Sequence, residues 1–161
     1  MSWHAAYRRW LYRGGRPSAF ARFQNRTWAL VFGAGIGPRR AASLEVVGRS
    51  SGRLLSCPVV IADWQGERYL VSMLGETASW VRNVRAAGGR AVVRHGKRES
   101  VLLQDVALER RPAILRRYLA LAPGARPHIP IDRHAPLEEF QTIASQIPIF
   151  RIATPPAPDR T

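Results

Sequence analysis

From Ser43 onward the chain breaks into short apolar runs separated by turn residues. The runs are SLEVVG (43–48), SCPVVIAD (56–63), RYLVSM (68–73), RAVVRH (90–95) and ESVLLQDV (99–106). Each is rich in β-branched residues and bounded by Gly, Asp or charged positions, so the pattern predicts five strands. IPIFRIA (147–153) reads as a further strand near the C-terminal end. Trp64-Gln65-Gly66-Glu67 leaves room only for a tight connection, so the second and third strands should pair antiparallel.

Elsewhere the apolar spacing lengthens to that of a helix. Pro17–Phe32 carries Phe20, Phe23, Thr27 and Leu30 approximately in register, with Pro17 acceptable in a first turn. GETASWVRNVRAAGG (75–89) places Trp80, Val84 and Ala87 on one face and ends in Gly88-Gly89. Glu109–Leu121 repeats the pattern with Ile114, Leu115, Tyr118 and Leu119, and Leu137–Gln146 predicts a short helix after a proline-rich loop, 123–136. Strands outnumber helices, and neither βαβ alternation nor a fixed repeat is present. The expected class is mainly β with capping helices, an α+β barrel or curled sheet.

A chain of 161 residues suits one domain with a core of its own. We expect a helical arm over 1–40, a barrel over 41–153 and a disordered tail over 154–161. At 46% hydrophobic and 22% charged residues the composition is globular. A single cysteine, Cys57, excludes an internal disulfide and fits a reducing, cytoplasmic compartment. The longest apolar stretch, WALVFGAGIG (28–37), is too short to span a membrane.

The formal charge of +14 is uneven, because no acid precedes Glu45 while eight arginines do (Arg8, Arg9, Arg13, Arg16, Arg22, Arg26, Arg39 and Arg40). Aromatic residues interleave with them, and Trp3, Tyr7 and Trp10 share a helical face by spacing. That combination fits an amphipathic arm on a membrane surface, and also a nucleic-acid-binding arm. A bias toward arginine codons accounts for it equally well, since lysine occurs only at Lys97. No nucleic-acid partner is expected; peripheral membrane contact through residues 1–40 is.

Candidate chemistry centres on Gly48-Arg49-Ser50-Ser51-Gly52. As G-x-S-x-G it would expose Ser50 as a nucleophile, with Asp105 or Asp132 and His128 or His134 as partners. An elbow needs a helix after the turn, however, and RLLSCPVVIAD is β-like and contains Pro58. A strand-turn-strand instead gathers Arg49, Ser50, Ser51 and Arg53 with turn N–H groups, a set suited to phosphate or carboxylate, or simply to solvent. The four histidines show no metal-ligand spacing, and Glu138-Glu139 are adjacent and diverge on a helix. GAGIG (33–37) follows a helix, so it is no dinucleotide fingerprint.

The order VVGRSSGRLLSCPVV, then GERYLVSMLGETASWVRNVRAAGGRAVVRHG, then IPIFRI resembles the deazaflavin-dependent nitroreductase family, oxidoreductases that use the reduced deazaflavin F420. Gly48, Arg49, Ser51, Gly52, Pro58, Trp80 and Asn83 match its pattern over about residues 43–106 and 147–152. The resemblance implies a flavin-reductase-like split β-barrel, a homodimer, and a small-molecule acceptor such as a quinone, a nitroaromatic or an activated alkene. It implies that Arg49, Ser50, Ser51, Gly52 and Arg53 hold the cofactor's phosphate and tail. Leu55, Ser56, Cys57, Pro58, Val59 and Val60 would line the ring, with Ser72, Met73, Leu74 and Gly75 in a loop and Ser79, Trp80 and Asn83 on the following helix.

The chain departs from that pattern where relatives often carry a basic residue, at Ser50, Leu55 and Gly75. Arg53, Arg82 and Arg85 are the candidates to compensate, and FMN is the alternative cofactor. No tyrosine proton donor stands near HAPLEEFQ (134–141); Phe140 is the nearest aromatic and His134 the substitute. From spacing alone Trp80 equally suits the core, and Asn83 equally suits tying down a neighbouring loop.

Overall fold

The computed structural model describes residues 19–158; the predicted Trp3, Tyr7 and Trp10 face and the end of the C-terminal tail lie outside them. Helix α1 (Ala19–Gly33) leads into β1 (Ala41–Val47), β2 (Leu54–Trp64) and β3 (Glu67–Val71). Then follow α2 (Ser79–Ala86), β4 (Arg90–His95), β5 (Lys97–Asp105), α3 (Arg111–Leu121), α4 (Leu137–Ile143) and β6 (Ile149–Ala153). The six strands close into an antiparallel barrel in the order β1-β2-β3-β6-β5-β4. The expected barrel with capping helices is therefore the observed one.

The β2–β3 hairpin turns on Gln65 and Gly66, both at positive φ (50° and 78°), between the paired Trp64 and Glu67. This primed turn matches the twist of the strands it joins. Helix α3 begins two residues later than predicted, with Pro112 in its first turn and a separate turn over Leu108–Arg110 before it.

Alternation along the strands builds two cores. Inward residues Ala42, Leu44, Val46, Leu70, Val93, Val101, Leu103, Phe150 and Ile152 fill the barrel, and α2 adds Val81 and Val84 to them. On the outside, Ala62, Tyr69, Val71 and Ile149 meet Ile114, Leu115, Leu119 and Phe140 of α3 and α4. Strand β1 is buried on both faces, because α1 packs across β1 and β2. Glu45, on its outward face, is 6% exposed; its carboxylate accepts a 2.6 Å hydrogen bond from Arg98 and lies 3.8 Å from Arg94.

Strand β2 is long because it serves two neighbours in succession. Leu54 to Val60 pair with β1, while Ile61 to Trp64 pair with β3. After Val71 the chain leaves the sheet, so among the described residues most of the first half of β2 has a strand on one side only. The Ile61 N–H donates to the Arg40 carbonyl on the β1 side. By alternation the main-chain groups of Ser56 and Pro58 face the open side, where a proline nitrogen leaves no ladder bond unmade.

Candidate functional site

The β1–β2 connection is a hairpin and not an elbow. Gly48 N–H donates to Arg53 O at 2.7 Å, Gly52 N–H to Gly48 O at 2.9 Å, and Arg53 N–H to the Ser51 hydroxyl at 3.2 Å. A strand follows, so Ser50 has no helix behind it. Of its paper partners, Asp105 is bound to Arg85 and His134 lies by Trp64, at the far end of β2 from the turn. The nucleophile reading is thereby excluded.

Asn83 fixes this hairpin to α2. Its Oδ1 accepts the backbone N–H of Arg49 at 3.1 Å and the Arg49 guanidinium at 2.8 Å, and its side chain is buried. Of the two sequence readings of Asn83, the structure displays the loop-tying one: the amide holds Arg49 through both its backbone N–H and its guanidinium. Ser50, Arg53 and Arg82 are exposed, and no hydrogen bond or ion pair engages their side chains among the described residues. One hydroxyl and two guanidinium groups thus stand exposed beside the anchored Arg49.

Arg85 does not join them. It bonds Glu76 and, at 3.1 Å, Asp105, and lies 5.7 Å from the Phe150 ring. Its hydrogen bond to Glu76, reinforced by Asp105, raises its already high pKa against a partial desolvation. The expectation that Arg85 compensates for the missing basic residues is corrected: its charge is already matched.

The six predicted ring-lining residues of β2 do not share a surface. Cys57 and Val59 turn inward and pack on the barrel core, and Leu55 shares their parity; Val60 packs on the outer core, and Ser56 and Pro58 share its parity. Burial pushes the Cys57 thiol up to about 12, so it is a neutral, inward-facing group.

Ser72 closes its own loop. Its hydroxyl donates to Gly75 O at 2.8 Å, its N–H to Pro148 O at 3.0 Å, and Gly75 N–H returns to Ser72 O. Ser72 is buried, whereas Met73, Leu74 and Gly75 are partly exposed. Met73 packs on the outer core and Leu74 on the inner, so the loop bridges the two where β3 leaves β2. Trp80 tilts against Phe150 at 5.7 Å and is half-buried, so one part packs in the core and another remains accessible; Ser79, the first residue of α2, is exposed.

Two features were not read from the sequence as candidate sites. One is the Arg94–Arg98–Glu45 ion-pair group beneath α1; the other is a cleft on α3 lined by Arg116, Arg117 and Arg133. The alanine and arginine stripe at 113, 116, 117 and 120 was the available signal for the second. Among the described residues no cluster could hold a metal ion.

The six strands form a small antiparallel barrel, and a cationic hairpin is clamped to α2 at the start of β2. The profile of the F420H(2)-dependent quinone reductase family matches residues 20–136, and the chain belongs to that family. It is accordingly a deazaflavin-dependent oxidoreductase with F420 as its cofactor, and the FMN alternative is not needed. Among solved structures, a protein of unknown function from Agrobacterium tumefaciens is similar in fold, at 17% identity and TM-score 0.52. The match covers 83% of this chain and 54% of that one. An F420-H2 dependent reductase, FDR-A, is 24% identical with TM-score 0.45, over 71% of this chain and 94% of its own. No curated protein matches the sequence.

Proposed function

We propose that this protein reduces a small acceptor of the quinone, nitroaromatic or activated-alkene type. In this reading Arg49, Ser50, Arg53 and Arg82 hold the phosphate and acidic tail of F420, while the open edge of β2 and the Met73–Gly75 loop receive its ring. The observation that carries the reading is the Asn83–Arg49 clamp, which fixes an otherwise exposed arginine-serine hairpin beside that edge. The donor set suits the group: hydroxyl and guanidinium donors without carboxylate partners match a polyanion. Bound F420H2 supplies a hydride equivalent. The chain contributes orientation through the clamp, charge through Arg53 and Arg82, and shelter through Trp80 and Leu74.

The test is a fluorescence titration with F420, followed by F420H2 oxidation in the presence of a benzoquinone. We expect Arg49→Ala to weaken F420 binding by about tenfold or more, as loss of a charge-assisted contact implies. Unchanged affinity would remove the hairpin from the site.

We assign the protein to the cytoplasm, keep the division into arm, barrel and tail, and expect a homodimer, with sedimentation equilibrium as its check. Among the described residues no helix is long and apolar enough to cross a membrane. Trp28 and Leu30 on α1 and Ile36 just after it are at least half exposed, which supports contact of this arm with a membrane surface. Because α1 also covers β1, the probe of choice is Trp28→Ser/Leu30→Ser and not a deletion. Liposome co-sedimentation at low salt should fall in that variant, and undiminished binding rejects the arm.

A further inference from the structure

A second cationic site lies on α3, at the opposite end of β2 from the Arg49 hairpin. Ala113, Arg116, Arg117 and Ala120 fall at i, i+3, i+4 and i+7, so they form one stripe of the helix. Above this stripe stand Arg133 and His134, and Trp64, the last residue of β2, completes a cleft of about 360 Å³. The two alanines leave the space that longer side chains would fill.

Charge in the cleft is only partly matched. Arg117 is committed to Asp63, with Nε 3.1 Å from its carbonyl and Nη2 3.3 Å from both carboxylate oxygens. Asp63 also lies 3.7 Å from Arg40. Arg116 has no hydrogen-bond or ion-pair partner among the described residues. Arg133 donates through Nε to His134 Nε2 at 3.0 Å and not to a carboxylate. Asp132 spends Oδ1 on the His134 N–H at 2.7 Å and is not part of the cleft lining. Two guanidinium groups without an acidic partner among the described residues therefore line a small space that Trp64 also borders.

We propose that this cleft binds a small aromatic anion, one planar ring bearing a carboxylate or phosphate. Guanidinium pairs take such groups through parallel N–H donors, and the ring has Trp64 to pack against. The volume is at the low end for ligand pockets, which fits a single ring. The inference does not rest on the F420 reading, since Trp64 ends β2 and the hairpin precedes its first residue.

The experiment is calorimetric titration of the full chain with benzoate, phenyl phosphate and inorganic phosphate at low ionic strength, where exposed charges are least screened. Both ring-bearing anions should saturate one site, with inorganic phosphate weaker by about tenfold or more because it cannot use Trp64. Arg116→Ala and Arg133→Ala should each weaken them by about tenfold, as should loss of any charge-assisted contact. F420 affinity should not change in those variants, and Arg82→Ala should leave benzoate binding intact. Absence of saturable binding, indifference to Arg116→Ala, or inorganic phosphate binding as tightly as phenyl phosphate would each overturn the proposal.

Discussion

Asn83 accepts two hydrogen bonds from Arg49, a residue 34 positions earlier, and so joins α2 to the β1–β2 hairpin through one buried oxygen. Asn83→Ala removes that acceptor from a part-buried bond and should cost about 1 kcal/mol. Asn83→Asp keeps an acceptor at the same place but neutralises Arg49. The alanine variant is therefore expected to lower both Tm and F420 affinity, and the aspartate variant chiefly the affinity. Thermal melts paired with F420 titrations on both variants check this.

Arg82 and Arg85 sit on the same short helix and should respond oppositely. Arg85→Ala breaks exposed pairs with Glu76 and Asp105, each worth under about 1 kcal/mol, and should leave F420 binding unchanged. Arg82→Ala should leave the melt unchanged and weaken F420 several-fold. Equal effects of the two on cofactor affinity would show that charge alone, and not placement, governs binding.

The Cys57 thiol should resist reagents while the barrel is closed. Its folded pKa is raised above the ordinary thiol value by burial, to about 12. The sign follows: the thiol disfavours unfolding below the unfolded pKa, and that contribution is lost as pH climbs toward the folded value. Disulfide-exchange labelling at pH 8 should be slow in buffer and fast in denaturant, and Cys57→Ala should flatten the stability loss seen above about pH 9.

Gly89 should not accept a side chain. Its φ is +86°, and a Cβ there would stand 2.5 Å from the Leu103 carbonyl oxygen, the residue whose N–H donates to Gly89 O. Gly89→Ala combines left-handed strain with a backbone clash, and a loss of about 2 kcal/mol or more is expected by chemical denaturation. Gly88→Ala, with nothing within 4 Å, should carry the strain alone and cost less.

Much of the barrel was legible because alternation and turn chemistry are local signals. Trp64-Gln65-Gly66-Glu67 names its own hairpin, and RAVVRH gives β4 with its bounds unchanged. The start of β2 was read two residues late, since Leu54 becomes a strand residue only through its pairing with Val47. For the site, residue types were legible and partners were not. Nothing local tells that Glu76 and Asp105 consume Arg85 while Arg82 has no such partner among the described residues, or that Asn83 faces Arg49. The pleat sends neighbours within Leu55 to Val60 to opposite sides, a division that the run of residue types does not announce.

Pro58 carries a consequence for the protein's behaviour in a crowded solution. A strand with one bare side is a template on which another chain can add, and proteins protect such sides from runaway association. Pro58 lies within the bare stretch and offers no N–H there, so an incoming strand finds its ladder interrupted. The same residue makes this side a poor seed for fibres. Pro58→Val would restore the donor, and with it the hazard.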